Sequence, residues 1–353
     1  MAVLQALGND AQTVLWIGSE GGMEADLVRR AGIPFNSIPA AGVHGVGLRA
    51  LPGNTWRLLQ GTLASRRILR QFRPDVLLFT GGYVAVPMAV AGRGIPTLLY
   101  VPDIEPGLAL KVLARFATAI GLTAENSRSY FKFNPHCVVT GYPTRPDMQV
   151  WETQPARTHL NLLADQPVLL VFGGSKGARS LNRAVLAVLP QLLEKTQVLH
   201  ISGNLDWPEV ETAWKALPSE IASRYHPYAY LHEDMGAALA SANLVVSRAG
   251  ASTLGEFPQY GLPAILVPYP YAWRYQHVNA DYLVQNGAAM VIRDEKLSTD
   301  LLPGIQNLFD EPTRLESMSR AMRALAQLQA ADKLAGLVRQ LASGSYSTGR
   351  GAE

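Results

Sequence analysis

The chain opens MAVLQALGND, a mostly apolar run closed by a glycine, and passes straight into AQTVLWIGSEGG. Residues 2–7 read as the end of a helix with Gly8 as its stop, and Thr13–Ser19 reads as a buried strand. Short runs rich in Val, Leu and Ile then recur, each followed by a loop and a helical stretch. They are Val76–Thr80, Thr97–Val101 and Cys137–Thr140, then Val168–Phe172, Val198–Ile201, Tyr228–Leu231, Leu244–Ser247 and Ala264–Val267. The runs do not alternate, which is how strands buried on both faces of a parallel sheet read. Strand–helix alternation that pauses and restarts predicts an α/β protein of two doubly wound, Rossmann-like domains.

Pro143, Pro146 and Pro155 place the joint at 143–156 and predict a stiff linker there. The first domain is then 1–142 and the second 157–310. Residues 311–342, rich in Ala, Leu, Met, Arg and Gln, read as terminal helices that can cross back to the first domain. Residues 343–353 (SGSYSTGRGAE) read as a disordered tail. A chain of 353 residues suits two domains.

Composition adds exclusions. With 48% hydrophobic and 17% charged residues the chain reads as globular, and no run approaches ~18 uncharged apolar residues. One cysteine, Cys137, excludes a disulfide framework and a cysteine-based zinc site. A net charge of +3 is too weak to argue for nucleic acid. The charge is uneven, however. From Ala40 to Arg73 there is no acidic residue, while Arg49, Arg57, Arg66, Arg67, Arg70 and Arg73 alternate with Trp56, Leu59, Leu63 and other apolar residues. Such a segment reads either as a solvated helix packed on a sheet or as a surface for an anionic membrane.

Ligands of open parallel sheets bind at the carboxyl ends of strands. In VLLVFGGSKGARSLN (168–182) a buried strand ends in glycines and a helix begins near Gly177–Ala178. Glycines allow close backbone approach and the helix start offers free N–H groups, so the loop reads as a diphosphate cradle or simply a tight turn. It matches neither the nicotinamide nor the P-loop pattern. In LVVSRAGASTLGE (244–256), Gly250, Ala251, Ser252 and Thr253 fall at another helix start, with Glu256 a turn further in. That carboxylate can accept two hydrogen bonds from a vicinal diol, or serve as a first-turn or capping-box acid. In LVPYPYAWRYQHVNADYL (266–283), Arg274, Gln276, His277 and Asn279 follow an aromatic, proline-fixed loop and suit a ligand with many hydroxyls, or mark a surface helix start.

GGSKGARSLN, HEDM (232–235), SRAGASTLGE and the loop ending YQHVNA stand in the order found in the MurG family of glycosyltransferase family 28. GSEGGMEADLVRRAGIPF (18–35), RPDVLLFTGGYVAVP (73–87) and GYPTRPD (141–147) resemble the same family. The resemblance implies a GT-B fold, two Rossmann-like domains facing across a cleft. It implies inverting transfer of N-acetylglucosamine (GlcNAc) from UDP-GlcNAc to an undecaprenyl-diphosphate-linked muramyl-pentapeptide, in peptidoglycan synthesis at the cytoplasmic face of the cell membrane. By similarity Ser175 contacts the nucleotide, backbone at His232 reads the uracil, and Ala251, Ser252 and Thr253 lie along the diphosphate. Glu256 holds the ribose, Gln276 meets the sugar hydroxyls and Arg145 pairs with the diphosphate. Gly81, Gly82 and Tyr83 face the acceptor diphosphate. No metal or other cofactor is implied. A lipid acceptor also favours the membrane reading of the Arg49–Arg73 region.

Two departures stand out. The family's His-Glu-Gln-Asn motif appears as Tyr100, Val101, Pro102 and Asp103, which puts Asp103 where an asparagine meets the donor sugar. Asp103 and Glu105 are the nearby carboxylates for the catalytic base, or else they stabilise the turn around Pro102 and Pro106. The family's opening strand and its Gly-Gly-Thr-Gly-Gly-His loop have no counterpart before MAVLQALG, so an upstream start that supplies them is expected. The competing expectations are a GT-B enzyme with a diacylglycerol acceptor, and a UDP-sugar-binding subunit that needs a partner.

Overall fold

A computed structural model describes residues 1–21, 24–41, 51–134, 136–174, 177–271 and 274–346. The chain forms two compact units, Met1–Pro143 joined by the stretch from Gln329, and Thr144–Leu328.

In the first unit, β1 (Trp16–Ser19) pairs parallel with β2 (Phe35–Ile38). A second parallel sheet follows in sequential order: β3 (Leu77–Phe79), β4 (Thr97–Val101), β5 (Ala119–Leu122) and β6 (Cys137–Val139). Strands β4 and β5 are buried along their whole length, as continuous apolar runs require. Leu99, Val101, Ile120 and Leu122 face a core closed by the helix Ala85–Ala91. On the other side Leu98 and Tyr100 pack with Leu7, Leu334 and Val338. The helices Ala2–Leu7 and Ala330–Ala342 therefore cover one face of this sheet together. Arg339 ties them, donating to the Ala6 carbonyl at 2.8 Å and to Asp10 at 2.6 Å.

The helix Leu51–Phe72 packs its inner face through Gly61 and Ser65. A Cβ at Gly61 would fall 2.2 Å from the Pro39 carbonyl oxygen, so only glycine permits that approach. The outer face carries Trp56, Leu59 and Leu63, which are 61%, 54% and 59% exposed. Arg66, Arg67 and Arg70 continue the same stripe at helical spacing and are exposed. Arg49 lies outside the described residues.

The second unit holds one six-stranded parallel sheet, ordered β12-β11-β10-β7-β8-β9. The strands are β7 (Val168–Phe172), β8 (Gln197–Ile201), β9 (Tyr225–Tyr228), β10 (Leu244–Ser247), β11 (Ala264–Leu266) and β12 (Ala289–Val291). The chain winds outward from β7 to β9, returns, and winds the other way from β10 to β12. The topological switch point therefore lies between β7 and β10. Strands β7, β8, β10 and β11 are wholly buried. The core joins Leu169 and Val171 to Leu181, Leu193, Leu301 and Leu308 from the flanking helices.

Several expectations shift. The strand expected at Tyr228–Leu231 lies three residues earlier, because β9 is an edge strand whose buried residues, Tyr225 and Pro227, alternate with half-buried ones. Strands β2, β5 and β12, not expected from the pattern, are three or four residues long. The 143–156 stretch holds the 3-10 turn Pro146–Gln149 and the start of the helix Thr153–His159. Pro155 sits in that helix's first turn, where its missing N–H costs nothing. In the tail, Tyr346 packs edge-on to His136 at 6.2 Å.

Candidate active site

At the switch point β7 delivers Gly173 and Gly174 into the turn before the helix Arg179–Ala187. Gly177 closes the turn by donating its N–H to the Gly174 carbonyl at 2.9 Å. Two geometric facts demand glycine. A Cβ at Gly173 would meet the Ala178 nitrogen at 2.4 Å, and Gly177 has φ +75°, where a Cβ would fall 2.4 Å from the Ser202 carbonyl oxygen. Ser175, expected to contact the nucleotide, lies outside the described residues, as does Lys176.

A buried polar chain fixes the far side of this turn. Asn182, at 1% exposure, donates its amide to the Ser202 carbonyl at 2.8 Å and to Asp206 at 2.9 Å. Its oxygen then accepts from His200 Nε2 at 3.0 Å, while His200 Nδ1 accepts from the Tyr225 hydroxyl at 2.8 Å. Burial pushes the imidazole down to about 4, so His200 is neutral and structural at physiological pH.

After β10 come Arg248, Ala249 and Gly250, then the helix Thr253–Tyr260 with Ser252 at its N-cap. Thr253 donates its hydroxyl to the Gly250 carbonyl at 2.7 Å, which tightens the entry. Ala251 and Ser252 stand half-buried at this helix start, where free N–H groups and the helix dipole favour an anion; Thr253 is buried. Glu256 is half-buried one turn in. Burial pushes its carboxyl up to about 7, against the opposing pull of the Ser252 hydroxyl and the Arg145 charge. The capping-box reading fails on geometry. Glu256 is the fourth helical residue rather than the third, and Ser252 makes no side-chain cap bond. Arg145 is exposed and belongs to the same unit as Glu256.

After β11, Pro268–Tyr271 leads to the helix Tyr275–Gln285. Gln276 accepts the Tyr269 N–H on its amide oxygen at 2.8 Å, so its NH2 group remains to donate to a ligand oxygen. Asn279, fully buried, donates to the Ala249 carbonyl at 3.2 Å and so ties this helix to the β10 loop. His232 lies beyond β9, exposed, with its ring tilted 52° against that of Tyr230 at 4.6 Å between centres.

In the first unit Gly81 and Gly82 follow β3 with φ +114° and +84°, and Ala85 donates to the Gly82 carbonyl at 3.3 Å as the next helix starts. Tyr83 beside them is 53% exposed. Of the two candidate bases, Glu105 is buried with Lys111 Nζ at 3.5 Å, whereas Asp103 is half-buried and the more accessible. Ser127 donates to the backbone carbonyl of Asp103 at 3.5 Å.

Sequence reasoning passed over Arg248, Ser180 and Asp294, which meet behind the switch-point loops. The available signal was the arginine directly after a buried strand in SRAGAS.

Residues 168–335 match the glycosyltransferase family 28 C-terminal domain and residues 1–122 its N-terminal domain. A Roseiflexus protein named UDP-N-acetylglucosamine–N-acetylmuramyl-(pentapeptide) pyrophosphoryl-undecaprenol N-acetylglucosamine transferase is 40% identical, over 93% of this chain and 84% of its own. A Desulforudis audaxviator protein of the same name is 36% identical over 93% and 90%. The crystal structure of Acinetobacter baumannii MurG superposes with a TM-score of 0.74 at 26% identity, covering 96% of this chain and 95% of that one. The UDP-GlcNAc 2-epimerase of Neisseria meningitidis shares the fold, with a TM-score of 0.67 at 11% identity. With a GT-B fold, both family domains and relatives at this identity along most of its length, the chain belongs to glycosyltransferase family 28.

Proposed function

We propose that the chain transfers GlcNAc from UDP-GlcNAc to the 4-hydroxyl of a lipid-diphosphate-linked muramyl-pentapeptide, with inversion at the anomeric carbon. The donor half rests on one observation: Glu256, under the charge of Arg145, stands one turn into the helix start after β10, the strand that neighbours β7 and its glycine turn at the switch point. The acceptor half rests on the relatives' names.

The Glu256 carboxylate accepts both hydroxyls of the ribose. The N–H groups of Ala251 and Ser252 and the Arg145 guanidinium take the diphosphate, whose charge grows as UDP leaves. Thr253, expected along the diphosphate, spends its N–H on the Gly250 carbonyl at 3.1 Å and shapes the turn instead. Gln276 donates to a sugar hydroxyl. The acceptor oxygen attacks the anomeric carbon, the bond to UDP breaks, and a carboxylate takes the acceptor's proton. Asp103 suits that task better than Glu105, which Lys111 already engages. The loop at Gly81–Gly82 offers backbone N–H groups to the acceptor diphosphate.

The acceptor is a membrane lipid, and no helix among the described residues is long and apolar enough to cross a bilayer. The outer stripe of Leu51–Phe72 supplies the alternative, peripheral attachment at the cytoplasmic face. Its Trp56, Leu59 and Leu63 insert among headgroups while Arg66, Arg67 and Arg70 meet anionic lipid.

The test is turnover by the purified protein with UDP-GlcNAc and a lipid-linked muramyl-pentapeptide. Transfer to that acceptor is expected, with none to diacylglycerol from UDP-glucose or UDP-galactose. The reverse pattern would reassign the acceptor. UDP binding without turnover would indicate a subunit that needs a partner.

A further inference from the structure

Strand order places β12, β11, β10 and β7 side by side, so the loops at their carboxyl ends are neighbours. Arg248, immediately after β10, is 8% exposed and reaches all of them. Its Nη1 donates to the Val267 carbonyl after β11 at 3.1 Å and to Asp294 Oδ1 after β12 at 2.6 Å. Its Nη2 donates to the Ser180 hydroxyl, in the first turn after the β7 glycine loop, at 2.8 Å. The Ser180 hydroxyl in turn donates to the same Asp294 oxygen at 2.7 Å, which closes a three-membered ring of hydrogen bonds. The guanidinium also lies 5.3 Å from the centre of the Tyr269 ring, in the loop whose N–H holds Gln276.

A buried ion pair contributes little net stability, because desolvation offsets most of its attraction. Its strength is geometric: a planar guanidinium fixes several acceptors at once, which an ammonium does not. We propose that Arg248 is the positioning residue of the donor site, holding the loops after β7, β10, β11 and β12 in the register that UDP-GlcNAc requires. Arg248 touches no substrate in this scheme; it acts through Ser180, Tyr269 and the Val267 backbone. The inference rests on the donor-site reading above.

The test measures UDP affinity by calorimetry at fixed pH, beside thermal melting, for wild type, Arg248→Ala, Arg248→Lys and Glu256→Ala. Arg248→Ala should weaken UDP at least tenfold. Arg248→Lys should fail to restore it, since one ammonium cannot hold Ser180, Val267 and Asp294 together. Added guanidinium ion at low concentration should recover part of the affinity in Arg248→Ala and none in Glu256→Ala, a response that loss of fold stability alone would not produce. A cooperatively melting Arg248→Ala that binds UDP within twofold of wild type, beside a weakened Glu256→Ala, overturns the positioning role and leaves the donor site standing. Both variants at wild-type affinity overturn the donor-site reading too. Should Arg248→Ala fail to fold, Ser180→Ala and Tyr269→Leu each remove one arm without stranding a buried charge. Each is expected to weaken UDP three- to tenfold, and wild-type affinity in both refutes the proposal.

Discussion

The two units are built alike and finished differently. In the second, the loops at the switch point are cross-tied by buried polar side chains. Arg248 spans several loops, Asn279 holds the Ala249 carbonyl and Asn182 holds the Ser202 carbonyl. In the first, the glycine loop after β3 is closed by a backbone turn, Tyr83 stands exposed beside it, and an apolar-then-basic stripe faces outward on Leu51–Phe72. A rigid polar site pre-sets hydrogen-bond donors for a small, highly charged ligand and lowers the ordering cost of binding. A surface that accepts a lipid headgroup gains more from exposed apolar and cationic side chains.

The largest break in this comparison falls on chemistry rather than binding. Asp103→Asn should lower kcat about 10²- to 10⁴-fold, the usual worth of a general base, with UDP affinity unchanged. Glu105→Gln serves as the contrast. If it shows the loss and Asp103→Asn does not, the base is reassigned despite the Lys111 ion pair.

Next come the donor contacts. Glu256→Ala and Arg145→Ala should each cost about 1.5–3 kcal/mol of UDP-GlcNAc binding, the scale of a hydrogen bond to a charged group. Kinetics unchanged in both would remove the donor site from this face of the sheet.

The outer stripe of Leu51–Phe72 gives smaller steps. Replacing Arg66, Arg67 or Arg70 by Gln should each weaken binding to phosphatidylserine vesicles by about 1 kcal/mol, additively and with salt sensitivity. Trp56→Ser should weaken binding to neutral vesicles as well. Vesicle affinity indifferent to all four changes would return the helix to its blander reading, a solvated face.

Much of the second unit was legible because its strands are covered on both faces, leaving unbroken apolar runs such as VLLVF and LVVS. Strand β2 (FNSI) escaped because Asn and Ser interrupt its apolar run, and β5 (AIGL) because its apolar run is only four residues long and carries Ala and Gly, which are weak strand signals. The glycine loops could be read because a turn's backbone demands are local. The Arg248 assembly could not, because its partners Ser180 and Asp294 lie 68 and 46 residues away in the chain, and only strand order brings them together. Local sequence thus announces where a ligand approaches. What holds the loops in place is set by topology.

The smallest expected step, the first pH unit below 8, is also the most specific to the Glu256 environment. Its carboxyl is raised to about 7 by burial. Between the ordinary value of 4.5 and about 7 the folded protein therefore binds a proton that the unfolded chain does not. Stability from this group is full below pH 4.5 and is lost as pH rises towards 7. Donor binding runs the opposite way, because accepting two ribose hydroxyls calls for the carboxylate. Affinity for UDP-GlcNAc should fall about twofold from pH 8 to pH 7 and roughly fivefold more by pH 6, following the ionised fraction. The intact nucleotide sugar is the right probe, since its diphosphate is esterified at both ends and keeps its charge over this range. Glu256→Gln should flatten both profiles, in calorimetry and in thermal melts. Parallel slopes in wild type and Glu256→Gln would show that another group titrates, and that the donor side is less pre-set than its buried ties suggest.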